Sequence, residues 1–151
     1  MVKKELNVSA IKNGTVIDHI PANHLFKVIS ILGLDQSESM ITFGTNFKSK
    51  KQGRKAIIKV AKKFFADDDI NKISLVAPSA KLNIIKDYQV VEKRNVEIPE
   101  RIIGIAKCFN PKCITNNEKI TTKFSLAGKE PLALKCHYCE KITTAEHLEV
   151  L

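Results

Sequence analysis

The feature that most constrains the fold of this chain is a four-cysteine pattern near the C-terminus, CFNPKC followed by CHYC. Four residues separate Cys108 from Cys113, 22 residues follow, and two residues separate Cys136 from Cys139. Two short cysteine pairs on facing turns can bring four thiolates to the corners of a tetrahedron, the geometry of a structural zinc site. Disulfides are the alternative, but the N-terminal residues lack the apolar segment of a secretory signal. We therefore expect one structural Zn²⁺ per chain, with no position open for catalysis.

The residues around this pattern predict a separate small domain. The last fifty residues combine all four cysteines with short β-like runs. A unit below about 70–80 residues needs disulfides or a structural metal in addition to its hydrophobic core. The charged segment 94–101 contains Pro99 and lacks periodicity, so it is the natural hinge. We predict an N-terminal domain over 1–97 and a zinc-ribbon-like all-β domain over 98–151.

Hydrophobic periodicity in the first part of the chain predicts a layered α+β fold. The expected elements are a strand over 6–11, a strand over 15–20, a helix capped by Asn23 and ending at Gly33, a strand over 40–47, a helix over 54–65, a strand over 72–78, and one or two strands over 83–93 bent at Asp87. This order predicts an α/β sandwich, with two helices on one face of a mostly antiparallel sheet.

Charge and length narrow the partners that the chain can have. The 151 residues carry a formal charge of +9, and lysine and arginine exceed acids both before and after residue 100. Such a surplus attracts phosphates of nucleotides, nucleic acids or lipids, although most of the lysines would simply be solvated. No apolar run approaches the roughly 18 residues of a membrane span. We expect a soluble, cytoplasmic protein with no membrane partner.

An adjacent acid and imidazole, Asp18 and His19, end the apolar strand GTVIDHIP. Strand alternation predicts that they point to opposite faces. One interpretation is structural, with His19 at the strand end and Asp18 paired with a lysine. A second is nucleotide binding, in which His19, Lys59 and Lys93 face a phosphate chain while Asp18 accepts from a ribose hydroxyl. A catalytic dyad would need a third group and a nucleophile, which the surrounding sequence does not offer.

Several segments, in order along the chain, carry a resemblance to a known family. They are GTVIDHIPA, GRKAIIK, APSAKLNIIKDYQVVEK, IPERI and CFNPKC with LALKCHYCE. Together they resemble the regulatory chain of aspartate carbamoyltransferase, over essentially the whole sequence. The resemblance implies a non-catalytic subunit of pyrimidine biosynthesis that binds ATP as activator and CTP with UTP as inhibitors at one overlapping site. It also implies pairing into regulatory dimers that bridge catalytic trimers.

The resemblance also implies roles for individual residues. Base and phosphates would lie against Val8, Ser9, Ala10 and Ile11, with the backbones of Ile11 and Tyr88 reading the base edge. Asp18 and Lys59 would hold ribose and base, and His19 and Lys93 would meet phosphates. Asn83 and Ile85 would line the pocket, and Val90 would pack on the sugar. In the C-terminal domain, Asn110, Lys112 and Glu140 would contact the catalytic chain.

Two readings from other classes remain as alternatives. A zinc-ribbon nucleic-acid-binding protein fits the positive charge, but aromatic residues make up 6% of the chain, Trp is missing, and the lysine-rich stretch has no interleaved rings to stack bases. We therefore expect no nucleic-acid partner. A small metalloenzyme would need a zinc position open to water, which four cysteine ligands do not leave.

Overall fold

The computed structural model describes residues 10–50 and 53–151. It divides into two compact units, whose boundary lies between Val96 and Glu97. This boundary is one residue from the position predicted from the sequence.

The first unit is built on a five-stranded antiparallel sheet, in the order β2-β3-β1-β4-β5. Its strands are β1 (Gly14–Pro21), β2 (Ile41–Ser49), β3 (Gly53–Ala61), β4 (Lys81–Lys86) and β5 (Gln89–Asn95). Two helices, α1 (Leu25–Ile31) and α2 (Asp67–Val76), accompany the sheet. Short 3-10 turns cover Ala22–His24 and Leu34–Gln36. The predicted strand over 6–11 falls mostly outside the described residues.

The core lies between this sheet and the two helices. Strand residues Ile17, Ile58 and Leu82 are essentially inaccessible to solvent, as are helix residues Leu25 and Ile73. These residues belong to one continuous cluster. The predicted sandwich, with two helices on one face of an antiparallel sheet, is confirmed. We call the sheet face opposite the helices the outer face.

Two of the predicted elements are wrong. Residues 53–61 form strand β3, not a helix, and the buried residues Ala56, Ile58 and Val60 alternate along it. An apolar run this short fits both the helical period of 3.6 residues and the strand period of 2 residues, and its β-branched residues favour a strand. Residues 72–76 lie in helix α2, not in a strand.

Helix α2 begins where the sequence suggested a break. Asp67, Asp68 and Asp69 form its first turn, where negative charge is favoured by the helix dipole. Its buried residues Ile70, Ile73 and Ser74 then follow helical spacing. The acidic triplet therefore starts α2 instead of ending a preceding helix.

The other helix and the last hairpin are close to expectation. Helix α1 begins after His24, so Asn23 is not its cap, and Gly33 adopts the left-handed conformation that ends it. Asp87 and Tyr88 both have positive φ, at 50° and 63°, and form a two-residue turn between β4 and β5. The predicted bend at Asp87 is confirmed.

The second unit is a small β domain. A four-stranded antiparallel sheet has the order β10-β9-β8-β6, and β7 pairs with β11. The elements are β6 (Arg101–Ile103), β7 (Ala106–Lys107), α3 (Ile114–Asn117), β8 (Lys123–Lys129), β9 (Leu132–Cys136), β10 (Ile142–Thr144) and β11 (Glu149–Val150), with a 3-10 turn over Ala145–His147. Ile102, Phe124 and Leu134 are buried on one face of the larger sheet.

Candidate functional site

The four cysteines of the second unit form one cluster. Their sulfur atoms all lie within 4.8 Å of one another. The Sγ atoms of Cys108 and Cys139 are 3.6 Å apart, and those of Cys113 and Cys136 are 3.7 Å apart. A disulfide would bring two sulfurs to about 2 Å. Thiolates at about 2.3 Å from a tetrahedral Zn²⁺ stand about 3.8 Å from each other, so this spacing fits a metal centre.

Two backbone turns hold the cysteine pairs. In the first, the Cys113 amide donates to the Asn110 carbonyl at 3.0 Å, and the Lys112 amide donates to the Asn110 side chain at 3.1 Å. In the second, the Glu140 amide donates to the Cys136 carbonyl at 3.0 Å, and Glu140 itself has φ +62°. These hydrogen bonds fix the direction of each Cα–Cβ bond, so the sulfurs converge.

Helix α3 secures the first turn through two asparagine side chains. The Asn116 amide donates to the carbonyls of Cys108 and Asn110, both at 2.8 Å. The Asn117 amide donates to the Cys113 carbonyl at 2.8 Å. The Cys113 sulfur is also hydrogen-bonded to the Thr115 hydroxyl, at 3.1 Å. The spacing of the cysteines gave no signal for this supporting shell.

The electrostatics of the thiols also suit a metal. Burial raises the pKa of Cys108 to about 12 and raises the pKa of Cys136. Burial acts in the same direction on Cys139, but hydrogen bonds from the Lys141 backbone, the Asn110 side chain and the Cys108 and Cys136 thiols together outweigh it and bring the pKa to about 7. Four sulfur donors, three of them on buried cysteines, are the set that binds soft or borderline metals, and such a metal would hold the thiols deprotonated.

In the first unit, a row of polar side chains crosses the outer face of the sheet. Residues directly opposite each other in antiparallel strands share a face. Val16 in β1 lies opposite Lys59 in β3 and Asn83 in β4, and Asn83 lies opposite Lys93 in β5. The row spans three inter-strand spacings, or about 14 Å. Three residues singled out from the sequence, Lys59, Asn83 and Lys93, are thereby aligned on one surface.

A β-bulge places Asp18 and His19 beside this row. Between β1 and β3, Ile17 lies opposite Ile58 and Ile20 lies opposite Ala56, so Asp18 and His19 together face a single residue of β3. His19 has φ +60°, and Ile17 and Ile20 both stay in the core. The extra residue lets both polar side chains lie away from the core. The expectation that they point to opposite faces is wrong.

Asp18 is the centre of a small polar network. Its carboxylate lies 3.0 Å from Lys55 Nζ and accepts from the His19 amide at 2.6 Å. His19 Nδ1 is 3.5 Å from the same carboxylate. The structural interpretation of Asp18 as the partner of a lysine is therefore correct, and that lysine is Lys55. The network also fixes the orientation of the Asp18 oxygens.

The remaining predicted residues lie beside the row, further along β4 and β5 towards the hairpin that joins them. Ile85 is opposite Gly14 and Val90, and it is buried although it lies outside the main core cluster. The Tyr88 amide donates to the Lys12 carbonyl at 2.9 Å, which brings the residue after Ile11 to the hairpin turn. Ala10 is exposed and Ile11 is half-buried, while Val8 and Ser9 lie outside the described residues.

Lys59 has an altered titration. Burial lowers the pKa of its ammonium below the ordinary value of 10.5. A partly desolvated cation on a sheet face favours an anion beside it, because the anion restores the interactions that water would otherwise supply.

Comparison with known proteins gives the family. The aspartate carbamoyltransferase regulatory chain, allosteric domain, matches residues 6–97, and the metal binding domain of the same chain matches residues 100–149. A protein of Phocaeicola vulgatus named aspartate carbamoyltransferase regulatory chain is 58% identical to this chain over 149 residues, which cover 99% of this chain and 96% of the relative. The figures are 56% over 149 residues in Pyrococcus horikoshii, with 97% of each chain covered. This chain belongs to the aspartate carbamoyltransferase regulatory chain family.

Membership in this family assigns the cysteine cluster and the outer-face row to different domains of a regulatory chain. The cysteine cluster falls inside the metal-binding domain, and the outer-face row falls inside the allosteric domain. A regulatory chain is a non-catalytic subunit, so this chain is not itself an enzyme. Its family belongs to pyrimidine synthesis, and its partner is a catalytic chain. Among the described residues, no helix is both long and apolar enough to cross a bilayer.

The residues predicted to contact the catalytic chain surround the cysteine turns of this regulatory chain. Lys112 and Glu140 are exposed, whereas Asn110 is 9% exposed and takes part in the hydrogen bonds of the metal cluster. Large apolar side chains are exposed close to them in sequence: Phe109 at 43%, Ile114 at 43% and Tyr138 at 38%. Sequence reasoning did not select these three residues.

Proposed function

We propose that the N-terminal domain of this regulatory chain is a nucleotide sensor, which binds ATP as activator and CTP or UTP as inhibitors at the outer face. The observation that carries the proposal is the register of the sheet. It aligns Lys59, Asn83 and Lys93 in one row, beside the bulge that presents Asp18 and His19. His19 and Lys93 supply cations for phosphates, Lys59 and Asn83 supply donors for ribose and base, and Asp18 supplies an acceptor for a ribose hydroxyl.

The base occupies the apolar surface beside the row, at the level of Gly14 in β1. Ile85 and Val90 form a cross-strand pair there, next to the hairpin that carries Tyr88. The Tyr88 amide already donates to Lys12, so Tyr88 reads the base edge through its carbonyl, together with the backbone of Ile11. Val8, Ser9 and Ala10 complete the contacts to base and phosphates. His19 and Lys93 meet the phosphates.

Opposing effectors at one site act by linkage. ATP and CTP change activity in opposite directions only if each prefers a different global state of the assembly. We propose that the regulatory chains pair through their N-terminal domains, since β2 and β5 are the edge strands of the sheet that residues 10–50 and 53–95 form, and edge strands can pair with another chain. The C-terminal domain transmits the state to the catalytic chain through Asn110, Lys112 and Glu140, with the neighbouring apolar side chains packed in the interface.

The metal of the C-terminal domain is proposed to be a structural Zn²⁺ bound by Cys108, Cys113, Cys136 and Cys139. Four thiolates at tetrahedral spacing support this choice of metal. A reduced set of thiols also suits a cytoplasmic protein. Bound zinc would keep the two turns, and therefore the docking surface, in one arrangement.

The test is calorimetric titration of the zinc-loaded chain with ATP, CTP and UTP, followed by mixing with its cognate catalytic trimer. Lys59→Gln and Lys93→Gln should each weaken CTP binding about tenfold or more, because each removes a charge-assisted hydrogen bond. Both variants should still co-elute with the trimer. Lys27→Gln on α1 is the matched control, because Lys27 is an exposed residue of a helix on the opposite side of the sheet. CTP affinity unchanged in both site variants would contradict the proposed site.

A further inference from the structure

One lysine on the outer face has no role in the site as described so far. Lys81 opens strand β4 and is half-buried. It lies directly opposite Asp18 in β1 and directly opposite Asn95 in β5. Cross-strand partners share a face, and Lys81 is two positions from Asn83 along β4, so it belongs to the same surface as the polar row.

The register places Lys81 between the two residues that are proposed to meet phosphates. On one side, its cross-strand partner Asp18 is followed directly by His19 in the bulge. On the other side, Lys93 is two residues before Asn95 on β5, which makes Lys93 a diagonal neighbour of Lys81. Diagonal neighbours stand about 7–8 Å apart, within the combined reach of two lysines and a phosphate group.

The orientation of the nucleotide along the strands also brings its phosphates close to Lys81. The apolar pair Ile85 and Val90 marks the base end of the surface, at the level of Gly14 in β1. A nucleotide that extends away from that end passes Asn83 with its nucleoside and reaches the level of Asp18, where Lys81 is located, with its phosphates. The later phosphates of a triphosphate therefore come closest to Lys81.

The charge of Lys81 is also uncompensated within the part of the chain that the structure describes. The Asp18 carboxylate is paired with Lys55 at 3.0 Å, and no carboxylate of residues 10–50 or 53–151 lies within 4.0 Å of Lys81 Nζ. A half-buried lysine whose ammonium has no carboxylate within 4.0 Å can bind an anion.

We propose that Lys81 is a third phosphate contact of the nucleotide site, and that it sets the preference of the site for triphosphates over monophosphates. The inference rests on the proposed function, because it assumes that a nucleotide binds at the outer face. Lys81 acts on the distal phosphates, whereas Lys59 and Asn83 act on the nucleoside.

The experiment compares CTP and CMP binding to the full-length, zinc-loaded chain by calorimetry, for the wild type, Lys81→Gln and Lys81→Arg. Lys81→Gln should weaken CTP binding about tenfold, the factor for one charge-assisted hydrogen bond, and change CMP binding by less than about twofold. Lys81→Arg should recover most of the CTP affinity. Lys72→Gln, on helix α2 across the core, is the matched control and should leave both affinities unchanged.

Each other outcome overturns the inference in a recognisable way. Equal weakening of CTP and CMP by Lys81→Gln would indicate a structural effect on the sheet. CTP binding unchanged in Lys81→Gln but weakened in Lys93→Gln would remove Lys81 from the site and leave the proposed function intact. A wild-type chain that binds no nucleotide would overturn both.

Discussion

Replacing His19 separates the backbone of the β-bulge from its side chain. His19 has φ +60°, a conformation that costs an ordinary L-residue roughly 1–2 kcal/mol but costs glycine very little. Glycine in turn loses about 0.5–1 kcal/mol of chain entropy relative to alanine. The balance favours His19→Gly over His19→Ala by about 0.5–1 kcal/mol. For a domain of this size, the difference corresponds to about 2–8 °C in Tm.

The two variants should nevertheless lose the same nucleotide affinity. Both delete the imidazole, and with it one charge-assisted hydrogen bond to phosphate, which corresponds to about 1.5–3 kcal/mol or at least tenfold in Kd. Calorimetric titration with CTP and differential scanning of the zinc-loaded chain measure the two quantities on the same samples. We expect equal Kd values but a higher Tm for His19→Gly.

Two results would refute the reasoning. If His19→Gly bound CTP as tightly as the wild type, the imidazole would not contact phosphate. If His19→Ala were the more stable variant, the left-handed bulge would not be a property of the folded chain in solution.

Three further predictions concern the core strand, the metal and pH. Ile58→Ala should destabilise the first domain by about 2–5 kcal/mol and Ile57→Ala by much less in urea unfolding, because Ile58 is fully buried and Ile57 is only partly buried. Stripping the metal with a strong chelator should abolish the protease resistance of residues 97–151 while the first domain stays folded. CTP affinity should fall as the pH rises from neutrality towards 10.5, because the depressed pKa of Lys59 lets it lose its proton early. In Lys59→Arg the fall should be absent or begin at higher pH.

Each of these predictions has an outcome that contradicts it. A larger loss from Ile57→Ala would support the helix that the sequence suggested for residues 54–65. A metal-free chain that kept a protease-resistant second domain would exclude a structural metal. An identical pH profile in wild type and Lys59→Arg would show that Lys59 does not titrate in this range. The effect of pH on stability has the opposite sign. Because burial lowers the pKa of Lys59 in the folded state, the charged form is disfavoured there, and the free energy of unfolding increases as the pH rises through that pKa.

The sequence predicted the positions of the metal ligands more accurately than it predicted the secondary structure of the first domain. The spacing of the cysteines reflects a local constraint, because each turn must present two sulfurs in the same direction, and the structure places all four sulfurs together. The segment around Ile58 was misread because apolar residues at 57, 58 and 60 satisfy both the helical and the strand period. Only long-range pairing with β1 and β2 decides between them.

The composition of the nucleotide surface was predictable only in part. Charge and strand position already pointed to Lys59, Lys93 and Asp18, the family resemblance gave them roles, and the register then brought them to one surface. Lys81 was not selected, because its place opposite Asp18 depends on the pairing of β1 with β4. The bulge at His19 likewise follows from burying both Ile17 and Ile20, which requires knowledge of what lies on each side of the strand.

Neighbouring residues of the first domain serve different layers. Ile58 fills the core while Lys59, the next residue, lies on the outer face, and Leu82 and Asn83 are divided in the same way. A substitution at one set of positions leaves the packing of the other set largely untouched. Relatives can therefore diverge in effector preference, exchanging one phosphate-facing side chain for another, while they inherit an unaltered hydrophobic interior.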